Sequence, residues 1–256
     1  MVTSMLELVD DWEFNVLGIY NYRKPGPFDS LFNFVRENHD KIPGDIVESG
    51  VYRGSSLLGL GMLLKELGST KKVYGYDSFG GFPPVYHAKD DLSEFDRMAE
   101  TGLIDDAHIA AINRNRHWRE TLSGTPQSTA TISTSGDFSG TSLDYVKRKI
   151  DLAGLDNVVL VDGPFAETMT AQSTDPQQIM AVLMDCDLYN SYLDTFNFVW
   201  PRLADGGMIY LDEYYSLKFP GARLATLEYI EGKPVELVKA PQKLGDFERW
   251  YLKKRS

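Results

Sequence analysis

The sequence predicts an α/β fold built on a mostly parallel sheet with helices on both faces. Short apolar runs recur along the chain, and most of them end in an acidic residue and precede a segment with helical periodicity. Runs that lack polar alternation are typical of strands buried on both faces, as in a parallel sheet. Two late extended segments, Val235 to Val238 and Phe247 to Leu252, depart from this pattern and predict an antiparallel hairpin.

The first strand is predicted from Asp45 to Glu48. A turn with two glycines, Gly50 and Gly54, follows it, and the helical periodicity of Leu57–Leu67 comes next. A second strand, Lys72–Asp77, leads into a turn rich in glycine and proline. A strand, a glycine turn and a helix in this order are typical of the start of a nucleotide-binding domain.

The remaining elements alternate regularly after residue 141. They are a helix over Ser142–Ala153, strands Val158–Asp162 and Ile179–Met184, a helix over Tyr192–Leu203, strand Met208–Leu211 and a helix around Ala222–Ile230. Because strands and helices alternate up to the final hairpin, we expect one domain over residues 1–256.

Two segments fit this alternation less well. Residues 1–44 combine aromatic side chains with an amphipathic Leu31–Val35 helix, and we expect them to form a helical arm or lid. Residues 85–141 contain an acidic stretch, a basic island from Arg114 to Arg119 and a tract rich in Ser, Thr and Gly. We expect this second segment to be an insertion near the functional site.

Composition limits the kinds of partner. The net charge of −11 argues against a general affinity for nucleic acid or for an anionic membrane surface. No apolar stretch reaches the length of a transmembrane helix, and residues 1–14 contain no basic signal region. The single cysteine, Cys186, suits a reducing compartment. We therefore expect a cytoplasmic protein whose partner is a small molecule.

Acidic residues stand at the carboxyl ends of five predicted strands: Glu48, Asp77, Asp162, Asp185 and Asp212. Open α/β sheets bind ligands at this edge, at the point where the strand order reverses. If the strands before Asp185 and Asp212 are neighbours, about 4.8 Å apart, their carboxylates can converge on one cation. The alternative is that each acid caps the helix that follows it.

The glycine turn gives weaker information about the cofactor. Gly50 and Gly54 are separated by three bulky residues, so the turn lacks the Gly-x-Gly-x-x-Gly pattern that holds a dinucleotide pyrophosphate. Asp77, after the second strand, can accept hydrogen bonds from a ribose diol. A nicotinamide-dependent oxidoreductase and a binding module without catalysis remain alternatives at this stage.

Six motifs occur in one order along the chain: Glu48–Ser56, Tyr76–Pro83, Asp185–Ser191, Gly206-Gly207, Asp212-Glu213-Tyr214 and Pro220-Gly221-Ala222. In these motifs the chain resembles the macrocin O-methyltransferase (TylF-like) family of S-adenosylmethionine-dependent sugar O-methyltransferases. The resemblance covers most of the chain. It implies a Rossmann-like class I methyltransferase fold, with a seven-stranded sheet whose last two strands form the hairpin. It also implies S-adenosyl-L-methionine and a divalent cation, usually Mg²⁺.

The resemblance also implies roles for individual residues. Asp185, Asp212 and Glu213 would hold the cation, and Asp187 would act beside Asp185 as the general base. The family typically has Asp-Asp-Tyr where this chain has Asp212-Glu213-Tyr214, so the ligand at Glu213 departs from the pattern. The strand ends and the resemblance together predict cofactor contacts at Glu48, Ser49, Gly50, Tyr52, Arg53, Ser55, Ser56, Asp77, Ser78, Phe79, Asp162 and Asp185.

The expected reaction is methyl transfer from S-adenosylmethionine to a hydroxyl of a sugar or glycosylated natural product. A cation that binds two adjacent hydroxyls would acidify the reacting one, and Asp187 would take its proton. His87 and His117 are the competing bases. We interpret the basic island first as a solvated helix face; the alternative, a site for a phosphate or carboxylate, would favour a nucleotide-linked deoxysugar. A catechol or phenolic acceptor would suit the same chemistry. From the family and the aromatic arm we expect a homodimer or larger homo-oligomer.

Overall fold

A seven-stranded sheet forms the centre of the computed structural model, which describes residues 5–241 and 246–255. Its strands are β1 (Asp45–Ser49), β2 (Val73–Asp77), β3 (Val158–Asp162), β4 (Ile179–Met184), β5 (Leu203–Leu211), β6 (Val235–Lys239) and β7 (Trp250–Lys254). Their order across the sheet is β3-β2-β1-β4-β5-β7-β6. The first five strands are parallel, and β7 runs antiparallel to both β5 and β6. The predicted parallel sheet with a final antiparallel hairpin is confirmed.

Helices cover both faces of the sheet. One face packs against α1 (Asp11–Leu17), α2 (Asp29–Asn38), α3 (Ser55–Glu66) and α6 (Leu143–Ala153). The opposite face packs against α7 (Phe165–Thr168), α8 (Tyr189–Val199) and α9 (Pro220–Ile230). Successive strand residues therefore enter different cores: Ile46 lies in the first and Val47 in the second, and both are fully buried.

The amino-terminal arm is packed into the first core. Phe14 of α1 and Leu31, Phe32 and Val35 of α2 are buried there. The Lys149 ammonium donates hydrogen bonds to the carbonyl of Gly18, at 2.9 Å, and to that of Arg53, at 2.6 Å. The arm is thus tied to the turn that follows β1.

The helix before β5 is shifted from its predicted position. We expected Tyr192–Leu203, but α8 covers Tyr189–Val199 and is followed by a 3₁₀ turn, Trp200–Arg202. Pro201 explains the early end, because a proline cannot donate the backbone hydrogen bond that would continue the helix. Strand β5 therefore begins at Leu203, five residues before the predicted start at Met208.

The insertion contains helices that its sequence pattern did not reveal. A 3₁₀ turn (Ala88–Asp90), α4 (Glu94–Glu100) and α5 (Asp106–Ser123) occupy most of it. Only His108 and Ile112 are buried in α5, so its sequence carries little apolar periodicity. Within the described ranges, each helix is too short or too polar to serve as a transmembrane segment.

Candidate active site

A cavity of about 610 Å³ opens at the carboxyl ends of the central parallel strands. The loops that follow β1, β2, β3 and β4 line it, and β1 and β4 are adjacent although other elements separate them in sequence. Adjacent strands whose connections leave to opposite sides create the crevice in which open α/β sheets bind ligands. The cavity therefore lies where the acidic strand ends predicted a site.

The turn after β1 forms one wall of the cavity and requires its first glycine. Gly50 has φ +89°, and a Cβ placed there would lie 1.8 Å from the carbonyl oxygen of Asp185. Only a residue without a side chain lets the turn pass this close to the end of β4. Gly54, with φ +75°, then precedes α3 and leaves Ser55 and Ser56 at the cavity.

The carboxylate of Asp77 holds two of the cavity loops together. It accepts hydrogen bonds from the backbone amides of Val51 and Tyr52, both at 2.8 Å, and from that of Phe79 at 2.6 Å. Tyr52 and Phe79 both have φ +49°, an uncommon conformation for residues with a side chain. Asp77 thus shapes the site as well as lining it.

Glu48 lies fully buried beneath the glycine turn. Its Oε1 accepts a hydrogen bond from the Ser56 hydroxyl at 2.8 Å, whereas its Oε2 is buried with no partner in the described chain. Burial raises the pKa of Glu48 to about 8, although the bond from Ser56 opposes the shift. A buried acceptor without a partner costs free energy unless a bound group satisfies it.

The predicted cofactor residues divide into two groups. The residues that line the cavity are Gly50, Tyr52, Arg53, Ser55, Ser56, Asp77, Ser78 and Asp185. The four that do not are Glu48, Ser49, Phe79 and Asp162. Asp162 is exposed at the end of β3, and the next residues, Gly163 to Ala166, line the cavity instead.

Three carboxylates meet where β4 and β5 end side by side. Met184 pairs with Leu211, so Asp185 and Asp212 follow at neighbouring positions of the sheet edge. One oxygen each from Asp185, Asp212 and Glu213 lies within 4.8 Å of the others. Arg249, from the segment before β7, lies 3.5 Å from the Oδ1 atom of Asp212.

This carboxylate cluster suits a hard divalent cation. Burial, together with repulsion from the neighbouring carboxylates, raises the pKa of Asp185 and of Glu213 well above the usual values. Oxygen donors are the ligands that Mg²⁺ and similar ions prefer, and a cation would relieve the repulsion that raises these pKa values. The residues present therefore fit the cation that the family resemblance implies.

Asp187 lies two residues beyond Asp185 and lines the cavity. Its φ of +60° belongs to the left-handed region, and the Leu188 amide donates to the Cys186 carbonyl at 2.6 Å across the same turn. Burial raises the pKa of Asp187 to about 7, although the positive charge of Lys218 opposes the shift. A carboxyl group that titrates near neutral pH is suited to accept a proton.

The cysteine between these acids is structural. Cys186 is buried, and its sulfur accepts a hydrogen bond from the Ser49 hydroxyl at 3.5 Å. Burial also raises the pKa of its thiol, which disfavours the reactive thiolate.

The basic island serves the insertion rather than the cavity. Arg116 donates to the carbonyl of Leu92 at 3.0 Å, and Arg119 donates to the carbonyls of Thr131 and Ser133 at 3.2 and 3.0 Å. No residue of Arg114–Arg119 lines the cavity. Arg116 thus binds the segment before α4, and Arg119 binds the tract after α5.

Neither candidate histidine base lines the cavity. His87 stacks on the ring of Tyr189 with centroids 4.4 Å apart, and its Nδ1 accepts from the Lys89 amide at 3.2 Å. His117 is exposed on α5. Asp187 is thus better placed than either histidine to act on a group inside the cavity.

Several cavity residues were not predicted from the sequence. Phe82 to Val85 and Phe138 add an apolar wall, and Asn190, Ser191 and Asp194 project from α8 on the polar side. The signal for the polar group was the helical spacing of these three residues directly after the Asp187 turn. The signal for the apolar wall was weak, since Phe138 comes from a tract without regular periodicity.

Comparison with known proteins places the chain in a family. The model of the macrocin-O-methyltransferase (TylF) family matches residues 28–114 and 125–241. The mycinamicin III 3''-O-methyltransferase of Micromonospora griseorubida is 30% identical over 194 residues, which are 74% of this chain and 61% of that protein. The 8-demethyl-8-(2,3-dimethoxy-alpha-L-rhamnosyl)-tetracenomycin-C 4'-O-methyltransferase of Streptomyces olivaceus is 28% identical over 178 residues, 68% of this chain and 54% of that protein. The chain thus spans less than two thirds of the length of these relatives.

The fold agrees with this assignment. The solved structure of the O-methyltransferase NovP superposes with a TM-score of 0.60 and 20% identity, over 95% of this chain and 80% of that one. The seven-stranded sheet with its final antiparallel hairpin is the class I methyltransferase arrangement that the sequence predicted. The chain therefore belongs to the macrocin-O-methyltransferase (TylF) family.

Proposed function

We propose that the protein is an S-adenosylmethionine-dependent O-methyltransferase, assisted by a divalent cation, that acts on a hydroxyl of a sugar or glycosylated natural product. One observation carries this proposal. The Asp185, Asp212 and Glu213 oxygens lie within 4.8 Å of one another; Asp185 lines the cavity, and so does Asp187, whose pKa is about 7. An O-methyltransferase needs such a base beside a group that acidifies the acceptor hydroxyl.

The cavity is suited to the methyl donor. S-adenosylmethionine, when bound, supplies an electrophilic methyl group on a positively charged sulfur. Asp77 lines the cavity but already accepts three backbone amides, so a ribose diol would share this carboxylate with them. Glu48 is fully buried below the glycine turn and does not line the cavity, so its carboxyl group would not contact the donor directly. Asp77 and the size of the cavity support binding of a nucleoside derivative.

Asp185, Asp212 and Glu213 would hold the cation. A divalent cation supplies a Lewis acid, which lowers the pKa of a coordinated hydroxyl and orients it. The chain contributes the oxygen donors and holds them at the ends of adjacent strands. It also holds Asp187 two residues from Asp185, where its carboxylate can take the proton as the hydroxyl attacks.

The names of the relatives support a sugar acceptor. One relative is named as a 4'-O-methyltransferase of a dimethoxy-rhamnosyl tetracenomycin, and another as a 3''-O-methyltransferase of mycinamicin III. The apolar wall of Phe82 to Val85, with Val85 78% exposed, would suit an apolar aglycone beside the sugar.

Other acceptors are less well supported. Arg116 and Arg119 are engaged with backbone carbonyls, so the basic island no longer favours a nucleotide-linked sugar. A catechol would suit the same base and cation and remains the alternative acceptor. Membership of a methyltransferase family counts against a nicotinamide-dependent oxidoreductase.

A homodimer is part of the proposal. Three large apolar side chains at α1, Val9, Trp12 and Val16, are 79%, 63% and 74% exposed, and a second copy would cover them. Sedimentation velocity of the protein and of Trp12→Ser tests this. We expect a dimer that weakens in the variant, and a monomeric parent protein would contradict it.

A turnover assay tests the proposed activity. The protein is incubated with S-adenosylmethionine and a panel of neutral glycosides, nucleotide-linked sugars and catechols, with Mg²⁺ or with a chelator. We expect Mg²⁺-dependent methylation of a glycoside, detected as the mass gain of one methyl group. Methylation that is equally fast with the chelator would refute the cation, and binding of the donor without turnover of any acceptor would refute the enzymatic role.

A further inference from the structure

Tyr192 of α8 places its hydroxyl between the ends of β4 and β5. The side chain is fully buried, and Glu213 is 4% exposed. The hydroxyl oxygen accepts a hydrogen bond from the backbone amide of Glu213 at 3.2 Å. The same hydroxyl donates to the Oε2 atom of Glu213 at 3.1 Å. The phenol group of Tyr192 thus forms hydrogen bonds with both the backbone amide and the side-chain carboxylate of Glu213.

The hydroxyl proton has one other acceptor within reach, the carbonyl of Met184 at 3.2 Å. That carbonyl already accepts the backbone amide of Asp212 at 3.0 Å. The Oε2 atom of Glu213 lies at 3.1 Å, and an ionised carboxylate is a stronger acceptor than a carbonyl, so this contact is strongest when Glu213 is ionised, as it would be on a cation. We therefore assign the Tyr192 proton to Glu213.

This contact offsets the length of the glutamate. The side chain of Glu213 has one more rotatable bond than the aspartates Asp185 and Asp212 beside it. A ligand with an additional free torsion loses more conformational entropy when it is fixed on a cation. Closing a loop from the Glu213 amide through Tyr192 to the Glu213 carboxylate removes this freedom before any ligand binds.

We propose that Tyr192 is a positioning residue that fixes the Glu213 carboxylate as a cation ligand. This role rests on the proposed function, because it concerns the cation of that site. Groups that orient metal ligands commonly change metal affinity by roughly tenfold to a hundredfold when they are removed.

Tyr192→Phe is the informative change because it removes the hydroxyl and keeps the ring. The dissociation constant of Mn²⁺, a paramagnetic substitute for Mg²⁺, is measured by electron paramagnetic resonance on the full chain without an acceptor. We expect it to rise by about tenfold or more, while the affinity for S-adenosylhomocysteine without metal stays unchanged.

Tyr229→Phe is the matched control. Its hydroxyl donates to the carbonyl of Phe196 at 3.1 Å, so this variant loses one partly buried tyrosine hydrogen bond that does not involve the carboxylate cluster. We expect a smaller loss of thermal stability than in Tyr192→Phe and an unchanged affinity for Mn²⁺.

A double-mutant cycle with Glu213→Asp separates the side-chain contact from the backbone contact. Aspartate keeps the backbone amide bond to Tyr192 but is one methylene shorter, so the carboxylate contact is weakened. Adding Tyr192→Phe to Glu213→Asp should then change the Mn²⁺ affinity by less than about threefold.

Three results would overturn the inference. The first is a Tyr192→Phe variant that binds Mn²⁺ as the parent protein does. The second is an equal loss of affinity in the Glu213→Asp background, which would mean that the tyrosine acts through the backbone alone. The third is a parent protein that binds no Mn²⁺, which would remove the cation from the proposed function as well. Binding of S-adenosylhomocysteine in the same samples shows whether the methyltransferase assignment survives.

Discussion

The carboxylate of Asp90 accepts a hydrogen bond from the backbone amide of Tyr189 at 2.8 Å. Asp90 belongs to the insertion and is 2% exposed, and Tyr189 is the first residue of α8, two positions after Asp187. A Cβ on Gly221, near the start of α9, would lie 2.0 Å from the same Asp90 oxygen. One buried acid therefore joins the insertion to the starts of two helices beside the carboxylate cluster.

Asp90→Ala should destabilise the fold. The change leaves the Tyr189 amide buried without an acceptor, and such losses cost about 1–3 kcal/mol of the free energy of unfolding. The change in the free energy of unfolding is measured by denaturant unfolding. Asp96→Ala, an exposed change on α4, is the control and should cost less than about 0.5 kcal/mol. Equal stability of the two variants would show that Asp90 does not anchor the insertion.

Gly50→Ala should abolish cofactor binding while the protein still folds. The new Cβ would meet the Asp185 carbonyl at 1.8 Å, so the glycine turn would have to move away from β4. Calorimetry with S-adenosylhomocysteine is the measurement. In Gly68→Ala the residue also has positive φ, at +64°, but nothing lies within 4 Å of its Cβ, so this control should bind normally. Normal binding of S-adenosylhomocysteine by Gly50→Ala would contradict the close approach of the turn after β1 to the end of β4.

Asp187→Asn should slow methyl transfer without weakening cofactor binding. A general base contributes roughly a hundredfold to ten-thousandfold in rate, and the amide cannot accept the proton. Single-turnover rates and S-adenosylhomocysteine affinity separate the two effects. The control, Asp205→Asn, changes a side chain that is 76% exposed on β5 and should leave both unchanged. Near-normal turnover by Asp187→Asn would show that a group other than Asp187 is the general base.

Glu48 should make stability fall as the pH rises. Burial raises its folded pKa to about 8 from a usual value of 4.5, so the folded protein binds the extra proton between these pH values. The stabilisation is fully present below about pH 4.5 and is lost as the pH rises through 8. Glu48→Gln cannot ionise, so its melting temperature relative to that of the parent protein should increase from pH 5 to pH 8. A difference in melting temperature between the two proteins that stays constant from pH 5 to pH 8 would show that Glu48 does not titrate in this range.

The sheet and the carboxylate cluster were accessible from sequence because they depend on short-range patterns. The apolar runs before Asp185 and Asp212 defined strand ends, and parallel strands place their ends at one edge. The contacts of Asp77, Asp90 and Tyr192 were not accessible, because each joins segments that meet only in the folded chain. The bounds of α5 were not predicted because few of its residues are buried, although the basic island within it was interpreted as a solvated helix face.

We expect the cavity to bind a sulfonium methyl donor beside a divalent cation. This is measured by calorimetric titration of S-adenosylmethionine and S-adenosylhomocysteine, with Mg²⁺ and with a chelator, and nicotinamide dinucleotides serve as controls. We expect both adenosyl compounds to bind and the dinucleotides not to bind. Mg²⁺ should give its own binding heat, which is lost when Asp185 and Asp212 are both changed to Asn. A preference for a dinucleotide, or no binding of either adenosyl compound, would contradict the account.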